Sequence, residues 1–404
     1  MMRDMMNQPR SIEIAWEYPL PTNEHSRDGH FESPILVIGD VVYFVSKSLR
    51  MPGCTRVLHT VNAKSGKGKL HPLRDVDHLL SKDLFFFDYD GNAVLYTGDF
   101  VLLQGDVLLK TLRFCEKGHV TSHLLENHRL YVSCQQYNHS SLCCIDLEHL
   151  SVVWEIDISN TKRYRAGELS FCDGTIACTG RDQLLFVCPE NGEIVRTIKI
   201  PRIDKLFCPL RLDDDALLIG YTNWSSAGIL KYQPSTQKVL WRHKRKFEGP
   251  QLRCKIYRRK DRAYWVKNDT ELIGVDVDTG EEQTQLRTSP WLYTDLYPVR
   301  DGFLYGTAGA DGFLNHFDCT TGQLKWSVFL KNGCDFYAVR DDAVFAGDFD
   351  KSIKQISLEN GCLQRELSVD GEVVGQIAVS GDCLYTVIWG NAGKDVRLVQ
   401  IRLS

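Results

Sequence analysis

The sequence predicts an all-β protein, a single β-propeller of four-stranded antiparallel blades, with nine blades by repeat count. Three observations support this. A unit made of a turn and an alternating apolar strand recurs nine times, successive units start 36 to 52 residues apart, and no interval leaves room for a regular helical layer. The units start at Gly39, Gly91, Asn127, Asp173, Asp214, Lys260, Asp301, Asp341 and Gly381. Eight blades is the alternative, because the 52-residue first interval holds a less regular unit.

Length and composition fit one domain over residues 1–404 without a polyanionic partner. Charged residues make up 25% and hydrophobic residues 43% of the chain, as in an ordinary packed globule. The net charge of -4 and the pI near 6.3 favour neither a nucleic acid nor an anionic membrane. The first residues lack the apolar segment of a secretory signal, and no stretch reaches eighteen consecutive apolar residues. We therefore expect a cytoplasmic protein without a membrane partner.

The unit Val299–Leu330 is the most complete repeat. It combines an Asp-Gly turn, an alternating strand, a second strand that ends at Asp318, and a third strand that carries Trp326. The spacing of Asp318, Thr321, Gly322 and Trp326 resembles the Asp-x-x-Thr-Gly-x-x-x-Trp signature of pyrroloquinoline-quinone-type and quinoprotein-like propeller repeats. The resemblance implies the propeller fold and, in part of the family, a quinone-dependent dehydrogenase.

The other units keep only parts of this signature. Trp154 and Trp241 occupy the Trp position, whereas Thr284 stands where Trp is expected. One full match in nine units favours a structural role for Asp318, Thr321, Gly322 and the tryptophans over a catalytic one. We expect each Trp to lie between neighbouring blades.

The chain ends predict how the ring closes. The last unit supplies three strands and then stops, while residues Ile12–Leu20 form an apolar strand pattern with Trp16 at the Trp position. We expect this segment to be the fourth strand of the last blade, which removes an open sheet edge. Residues 21–34 would then form the linker to the first blade.

Cysteine and histidine patterns do not predict a cofactor or a metal. Quinone dehydrogenases of the resembling family can use a vicinal disulfide, for which Cys143 and Cys144 are the adjacent pair. Alternation along a strand points these thiols to opposite faces, which favours ordinary packing as free thiols. His119 and His123 would be roughly 13 Å apart on a strand, too far to share a metal with His128. No catalytic motif is found, so we expect no catalytic, cofactor-binding or metal-binding residue.

One rim of the propeller is predicted to bind a partner protein. The second-to-third-strand loops and the links between blades share this rim and vary most in length, and large aromatic and basic residues often anchor interfaces. The variable segments are Lys47–Cys54, Gln135–Ser140, Tyr221–Ala227, Ala308–Gly312, Ile388–Lys394 and the link Lys244–Gln251. The predicted contact residues are Trp224, Trp389, Tyr137, Tyr221, Lys244, Arg245 and Lys246.

The segment Arg242–Arg262 is the strongest charge anomaly. It holds ten Lys or Arg residues and two acids. Because Lys244–Lys246 and Arg258–Arg262 should lie near opposite rims, they form two patches and not one groove. A solvated blade edge, a docking surface for an acidic protein and a nucleic-acid site all remain open, with nucleic acid the least favoured.

The function expected from these patterns is a non-catalytic interaction module, a rigid platform for another protein. An inhibitory, immunity-type role is one form of it. The alternatives are a quinoprotein-like dehydrogenase, which would need export and a quinone site, and an envelope-assembly scaffold similar to the outer-membrane assembly lipoprotein. The scaffold would need a lipidated cysteine after a signal peptide, and the first cysteine here is Cys54.

Overall fold

The fold consists of strands and turns throughout the part of the chain that the structure describes. The structure is a computed structural model. It describes residues 13–20, 34–51, 54–73, 84–114, 118–136, 139–158, 168–180, 182–213, 215–246, 255–267, 270–288, 296–307, 311–331, 336–348, 351–390 and 395–403. Within these ranges there is no helix, and so none that could cross a membrane.

The first eight blades each contain four consecutive strands that pair antiparallel in chain order. Blades 1 to 4 contain β2 (Leu36–Ile38), β3 (Val41–Met51), β4 (Cys54–Asn62) and β5 (Gly68–Leu73); β6 (Phe85–Tyr89), β7 (Asn92–Tyr96), β8 (Phe100–Gln104) and β9 (Val107–Leu112); β10 (Gly118–Glu126), β11 (Arg129–Gln136), β12 (His139–Asp146) and β13 (Ser151–Asp157); β14 (Leu169–Cys172), β15 (Thr175–Thr179), β16 (Gln183–Val187) and β17 (Ile194–Lys199).

Blades 5 to 8 follow the same arrangement. They contain β18 (Lys205–Arg211), β19 (Leu217–Asn223), β20 (Ser226–Gln233) and β21 (Lys238–Lys246); β22 (Ile256–Arg259), β23 (Arg262–Lys267), β24 (Glu271–Asp276) and β25 (Glu282–Arg287); β26 (Tyr297–Val299), β27 (Gly302–Gly306), β28 (Asp311–Asp318) and β29 (Gln323–Lys331); β30 (Tyr337–Arg340), β31 (Ala343–Asp348), β32 (Ser352–Ser357) and β33 (Leu363–Ser368).

The ninth blade joins the two ends of the chain. Its strands are β34 (Gly371–Val373), β35 (Ala378–Ser380), β36 (Cys383–Gly390), β37 (Val396–Arg402) and β1 (Ile14–Pro19). β1 pairs antiparallel with β37, with Trp16 opposite Gln400 and Tyr18 opposite Leu398. The predicted closure by an N-terminal strand is confirmed. The predicted linker, apart from Pro34, lies outside the described residues.

The blade count of nine is confirmed, and the alternative of eight is wrong. The less regular unit in the first interval forms a complete blade, β6 to β9. The first strands of neighbouring blades contact one another, as β2 does with β6 and with β35, so they surround the centre of the ring. Antiparallel order then places the second-to-third turns and the links at one end, here called the loop rim. The remaining turns lie at the other end, the turn rim.

The hydrophobic core is divided among the interfaces between blades. The described buried residues form nine clusters, and each cluster combines residues of two neighbouring blades. Alternation along a strand sends its side chains to two clusters: Val42 and Phe44 pack against blade 9, while Tyr43 and Val45 pack against blade 2. Because both faces of a second strand are covered by neighbouring blades, second strands such as β7 and β15 are nearly continuous runs of buried residues.

Candidate functional site

The four tryptophans at the repeat position each connect their own blade to the following one. Each lies on a fourth strand and donates its indole N–H to a backbone carbonyl at the start of the third-to-fourth turn of the following blade. The donor and acceptor pairs are Trp16 to Ala63 (2.7 Å), Trp154 to Pro189 (3.0 Å), Trp241 to Val277 (3.0 Å) and Trp326 to Leu358 (2.9 Å). We call this contact the indole slot.

A glycine in the same turn forms the floor of each indole slot. Gly361 has φ +71°, and a Cβ placed there would lie 2.7 Å from Trp326 Cγ. The position therefore needs glycine for its backbone conformation and also for space. Gly66, Gly192 and Gly280 show the same combination beneath Trp16, Trp154 and Trp241.

The full signature of blade 7 belongs to two different slots. The Asp318 carboxylate accepts the backbone N–H groups of Thr320 (2.7 Å) and Thr321 (3.4 Å), which fixes the turn. Gly322, at φ +72°, then faces Thr284 of the preceding blade. Trp326 instead packs against the following blade, so the signature describes two interfaces and not one local pocket.

The slot between blades 6 and 7 lacks a tryptophan and is filled from another strand. Thr284 is too short to reach the carbonyl of Cys319, which accepts hydrogen bonds from Tyr264 Oη (3.2 Å) and Arg262 Nη1 (2.8 Å). Gly274 leaves room for the tyrosine ring, since a Cβ there would be 2.7 Å from Tyr264 Cε1. The same acceptor is thus satisfied by a different donor.

Trp224 differs from these tryptophans because its side chain projects from the loop rim. It is 94% exposed and lies in the two-residue turn between β19 and β20. Asn223 Oδ1 accepts hydrogen bonds from the backbone N–H groups of Ser225 (3.1 Å) and Ser226 (2.9 Å), and from the Ser226 hydroxyl (2.7 Å). The turn is therefore fixed by its own polar groups while the indole stays exposed.

The exposure expected for Tyr221 is not observed, and this expectation is wrong. Tyr221 lies within β19, is 2% exposed and belongs to the cluster between blades 4 and 5. Its hydroxyl donates to the backbone carbonyl of His243 (3.1 Å). The predicted loop Tyr221–Ala227 shortens to two residues because both strands extend into it.

The other two predicted aromatic contacts are less prominent than Trp224. Trp389 lies in β36 and not in a loop, and it is partly buried against the cluster between blades 9 and 1. Tyr137 lies outside the described residues.

The three predicted basic residues lie on the outer strand β21 and not in the link that follows it. Lys244 and Lys246 are exposed. Arg245 points to the other face, where its guanidinium pairs with Glu282 of blade 6 (Nε to Oε2, 2.9 Å). His243 Nε2 lies 3.1 Å from the same carboxylate, and burial lowers the pKa of its imidazole against the opposing effect of Glu282. The set therefore divides into exposed and interface residues.

The predicted cysteine pair lies on opposite faces of β12, as alternation required. Cys143 packs between blades 2 and 3, Cys144 packs between blades 3 and 4, and both are buried free thiols. Burial raises the pKa of Cys144 to about 11, which keeps it protonated. This geometry does not fit a vicinal disulfide beneath a quinone. No group of three metal-ligating side chains occurs among the described residues either.

The histidines considered for a metal have separate surroundings. His123 stacks on Phe85 at 4.1 Å between ring centroids, and burial lowers its pKa. His128 Nδ1 lies 2.7 Å from the Tyr89 hydroxyl. The side chain of His119 is outside the described set.

Sequence comparison finds a limited similarity to quinone-dependent enzymes. No family model matches the chain. A segment of 138 residues is 27% identical to the dehydrogenase subunit of the quinone alcohol dehydrogenase of Acetobacter aceti. The match covers 28% of this chain and 18% of that subunit, so the chain spans less than a fifth of this relative.

Comparison with solved structures supports the fold. BamB from Moraxella catarrhalis has a TM-score of 0.53 at 15% identity, over 80% of this chain and 97% of that one. The quinohemoprotein alcohol dehydrogenase ADHIIG from Pseudomonas putida HK5 has a TM-score of 0.54 at 12% identity, over 97% and 76%. At these identities the likeness concerns the fold. The chain is thus a nine-bladed propeller similar to BamB and to the quinoprotein dehydrogenases.

Proposed function

We propose that the protein is a non-catalytic interaction module that binds a partner protein through the loop rim of blade 5. A cytoplasmic location is part of this proposal. Trp224 is the anchor of the interface, and Lys244 and Lys246 lie beside it. Trp389 is a secondary contact on the same rim, and the sequence-based prediction of Tyr137 as a contact is kept although this residue lies outside the described part of the chain.

The observation that carries the proposal is the 94% exposure of Trp224 in a turn held by hydrogen bonds from its own neighbours. An indole loses a large apolar area from water when a partner covers it, and little ordering is needed when the turn is already fixed. Tryptophan is accordingly enriched among residues that dominate binding energy. The other described indoles at the repeat positions are occupied by blade contacts.

The experiment replaces Trp224 with a photoreactive phenylalanine analogue in the native host. We expect one discrete crosslinked product that contains a second protein. The matched control carries the analogue at Leu363, which is 51% exposed on an outer strand of blade 8. Equal crosslinking from both positions, or none from position 224, contradicts the proposal.

A quinone-dependent dehydrogenase is the second candidate, favoured by the 138-residue similarity to such an enzyme. The opposite orientations of Cys143 and Cys144 argue against it. The test is titration of the purified protein with pyrroloquinoline quinone and calcium, followed by absorbance and by dye reduction with an alcohol. We expect no uptake and no reduction, and stoichiometric uptake would favour the dehydrogenase.

A further inference from the structure

The outer strand of blade 5, β21, presents a row of cations on one face. Its burial alternates strictly, and the exposed positions are Lys238, Leu240, Arg242, Lys244 and Lys246. Successive positions on one face of a regular strand are about 6.8 Å apart, so Arg242 to Lys246 extends over roughly 14 Å. The register against β20 shifts at Leu240, and Lys238 continues the row beyond this irregularity. No described residue forms an ion pair with these four cations, although Arg242 also donates to the carbonyl of Pro201 (3.1 Å). We call this row the cationic stripe.

The cationic stripe runs directly to Trp224. Ser226, two residues after the tryptophan, pairs with Lys246 at the end of β21. The indole thus lies just beyond the last cation, and Leu240, 50% exposed, interrupts the row with an apolar position. A ligand along the stripe would meet charge, one apolar position and an aromatic anchor in a fixed order.

β21 is also an open sheet edge in the described structure. It is the last strand of its sheet and pairs only with β20. One edge of its backbone therefore presents N–H and C=O groups that another extended segment can pair with. Side chains on a paired strand lie directly opposite those of its neighbour, at the same spacing along the strand.

We propose that the stripe binds an extended acidic segment of the partner protein, which adds to β21 as a fifth strand of blade 5. On the shared face this segment has acids at alternate positions opposite Lys246, Lys244 and Arg242. An apolar residue and a further acid then face Leu240 and Lys238, where the register of β21 shifts. The inference deepens the proposed function by naming the chemistry of the partner.

Protection of an open edge is the competing explanation, since lysine on an edge strand discourages aggregation. Charged side chains in general give such protection, so it does not by itself require four cations on one face. Among the outer strands, none of the others has four described exposed cations and no acid; β25, for example, carries Glu282, and β33 carries Glu366. The chain as a whole is acidic, at a net charge of -4, so the row is a local concentration of positive charge.

The test uses the purified full chain and a fluorescent peptide, Glu-Thr-Glu-Thr-Glu-Thr-Val-Thr-Glu, together with its reversed sequence. Fluorescence polarisation should detect binding of one orientation that weakens as salt increases. The double variant Lys244→Glu/Lys246→Glu should weaken binding at least tenfold. The control Lys67→Glu/Lys260→Glu changes the net charge equally on the turn rim and should have little effect. Equal losses of peptide affinity in the two double variants would overturn the proposal.

Strand pairing is tested separately with backbone N-methylation. One peptide is methylated at odd positions and another at even positions, because alternate N–H groups of an added strand point toward β21. We expect one pattern to abolish binding and the other to preserve it. If neither pattern matters, or if single-stranded oligonucleotides bind better than the peptide with the same loss in the Lys244→Glu/Lys246→Glu variant, the fifth-strand proposal is wrong.

The crosslink at position 224 separates this inference from the proposed function. If the partner is still captured in the Lys244→Glu/Lys246→Glu background, the rim binds a protein but the acidic-strand inference fails. If no partner is captured at position 224 in any background, the proposed function itself fails.

Discussion

Trp326 and Trp224 show how the same side chain serves two regions of the propeller differently. Trp326 is 7% exposed, donates to the Leu358 carbonyl and rests on Gly361. Trp224 is 94% exposed in a turn whose hydrogen bonds to Asn223 do not involve the indole. The indole slots therefore maintain the ring, whereas the loop rim presents a surface. Variants in the two regions should separate stability from binding.

Removal of residues 1–20 should have the largest effect. It deletes β1, opens the edge of β37 and removes Trp16 from the slot with Ala63. Trp16 is partly buried against the cluster between blades 9 and 1. Loss of a large aromatic from such a contact costs up to about 3–5 kcal/mol, and the lost strand adds to this. We expect a lower melting temperature and aggregation. Removal of residues 1–10 spares β1 and is the control; equal melting temperatures for all three chains would contradict ring closure by β1.

Trp326→Ala should cost about 3–5 kcal/mol of unfolding free energy, because it empties an indole slot. Trp224→Ala should change stability by less than about 0.5 kcal/mol, as for an exposed surface residue. Urea unfolding of both variants measures the contrast directly. Trp326→Phe keeps part of the packing and removes the hydrogen bond to Leu358. A stability loss for Trp224→Ala as large as that for Trp326→Ala would remove the distinction between the two regions.

Gly361→Ala tests whether the glycine beneath Trp326 is needed for the indole to fit. Its Cβ would lie 2.7 Å from Trp326, and its φ of +71° is unfavourable for alanine. Gly91→Ala is the matched control, since Gly91 has φ +77° but nothing within 4 Å of a Cβ. We expect the control to lose about 1–2 kcal/mol of unfolding free energy from backbone strain alone, and Gly361→Ala to lose more. Equal losses would show that the indole does not rest on the glycine.

The turn carboxylates should give the smallest effect, visible as a pH dependence. The pKa of Asp276 is lowered chiefly by the hydrogen bond from the Thr279 backbone N–H, against the opposing effect of burial. A lowered pKa means stabilisation that is present above the unfolded value of 3.8 and is lost as pH falls through the folded value. Asp276→Asn should therefore be less stable than the native chain at pH 7, with the difference shrinking below pH 3.8. A constant difference across this range would contradict the assignment.

The sequence predicted the architecture well because propeller repeats are encoded locally. Turn residues and strand alternation located all nine blades, and the missing fourth strand of blade 9 located β1. The same alternation predicted the opposite orientations of Cys143 and Cys144. These features depend on neighbours in the sequence, which a single sequence contains.

The candidate site was less predictable because it depends on where strands end. Tyr221 and Trp224 are three residues apart, yet one is buried and the other exposed, since the turn occupies only two residues. The sequence could not show that Arg245 forms an ion pair while Lys244 stays exposed, because the partner, Glu282, belongs to another blade. The replacement of Trp by Tyr264 at the slot of Thr284 likewise required the contact between blades.

The pairing of β1 with β37 also constrains the order in which the chain can fold. β1 precedes all other described strands in the chain, whereas its partner, Val396–Arg402, follows them. Trp16 and Tyr18 therefore lack their final packing partners on β36 and β37 until the strands of the other eight blades have been synthesised. Closing so long a loop carries an entropic cost that only the finished ring offsets. Formation of the ninth blade is therefore the folding step most exposed to misassembly. A chaperone that shields the unpaired edges of β1 and β37 would have its largest effect at this step.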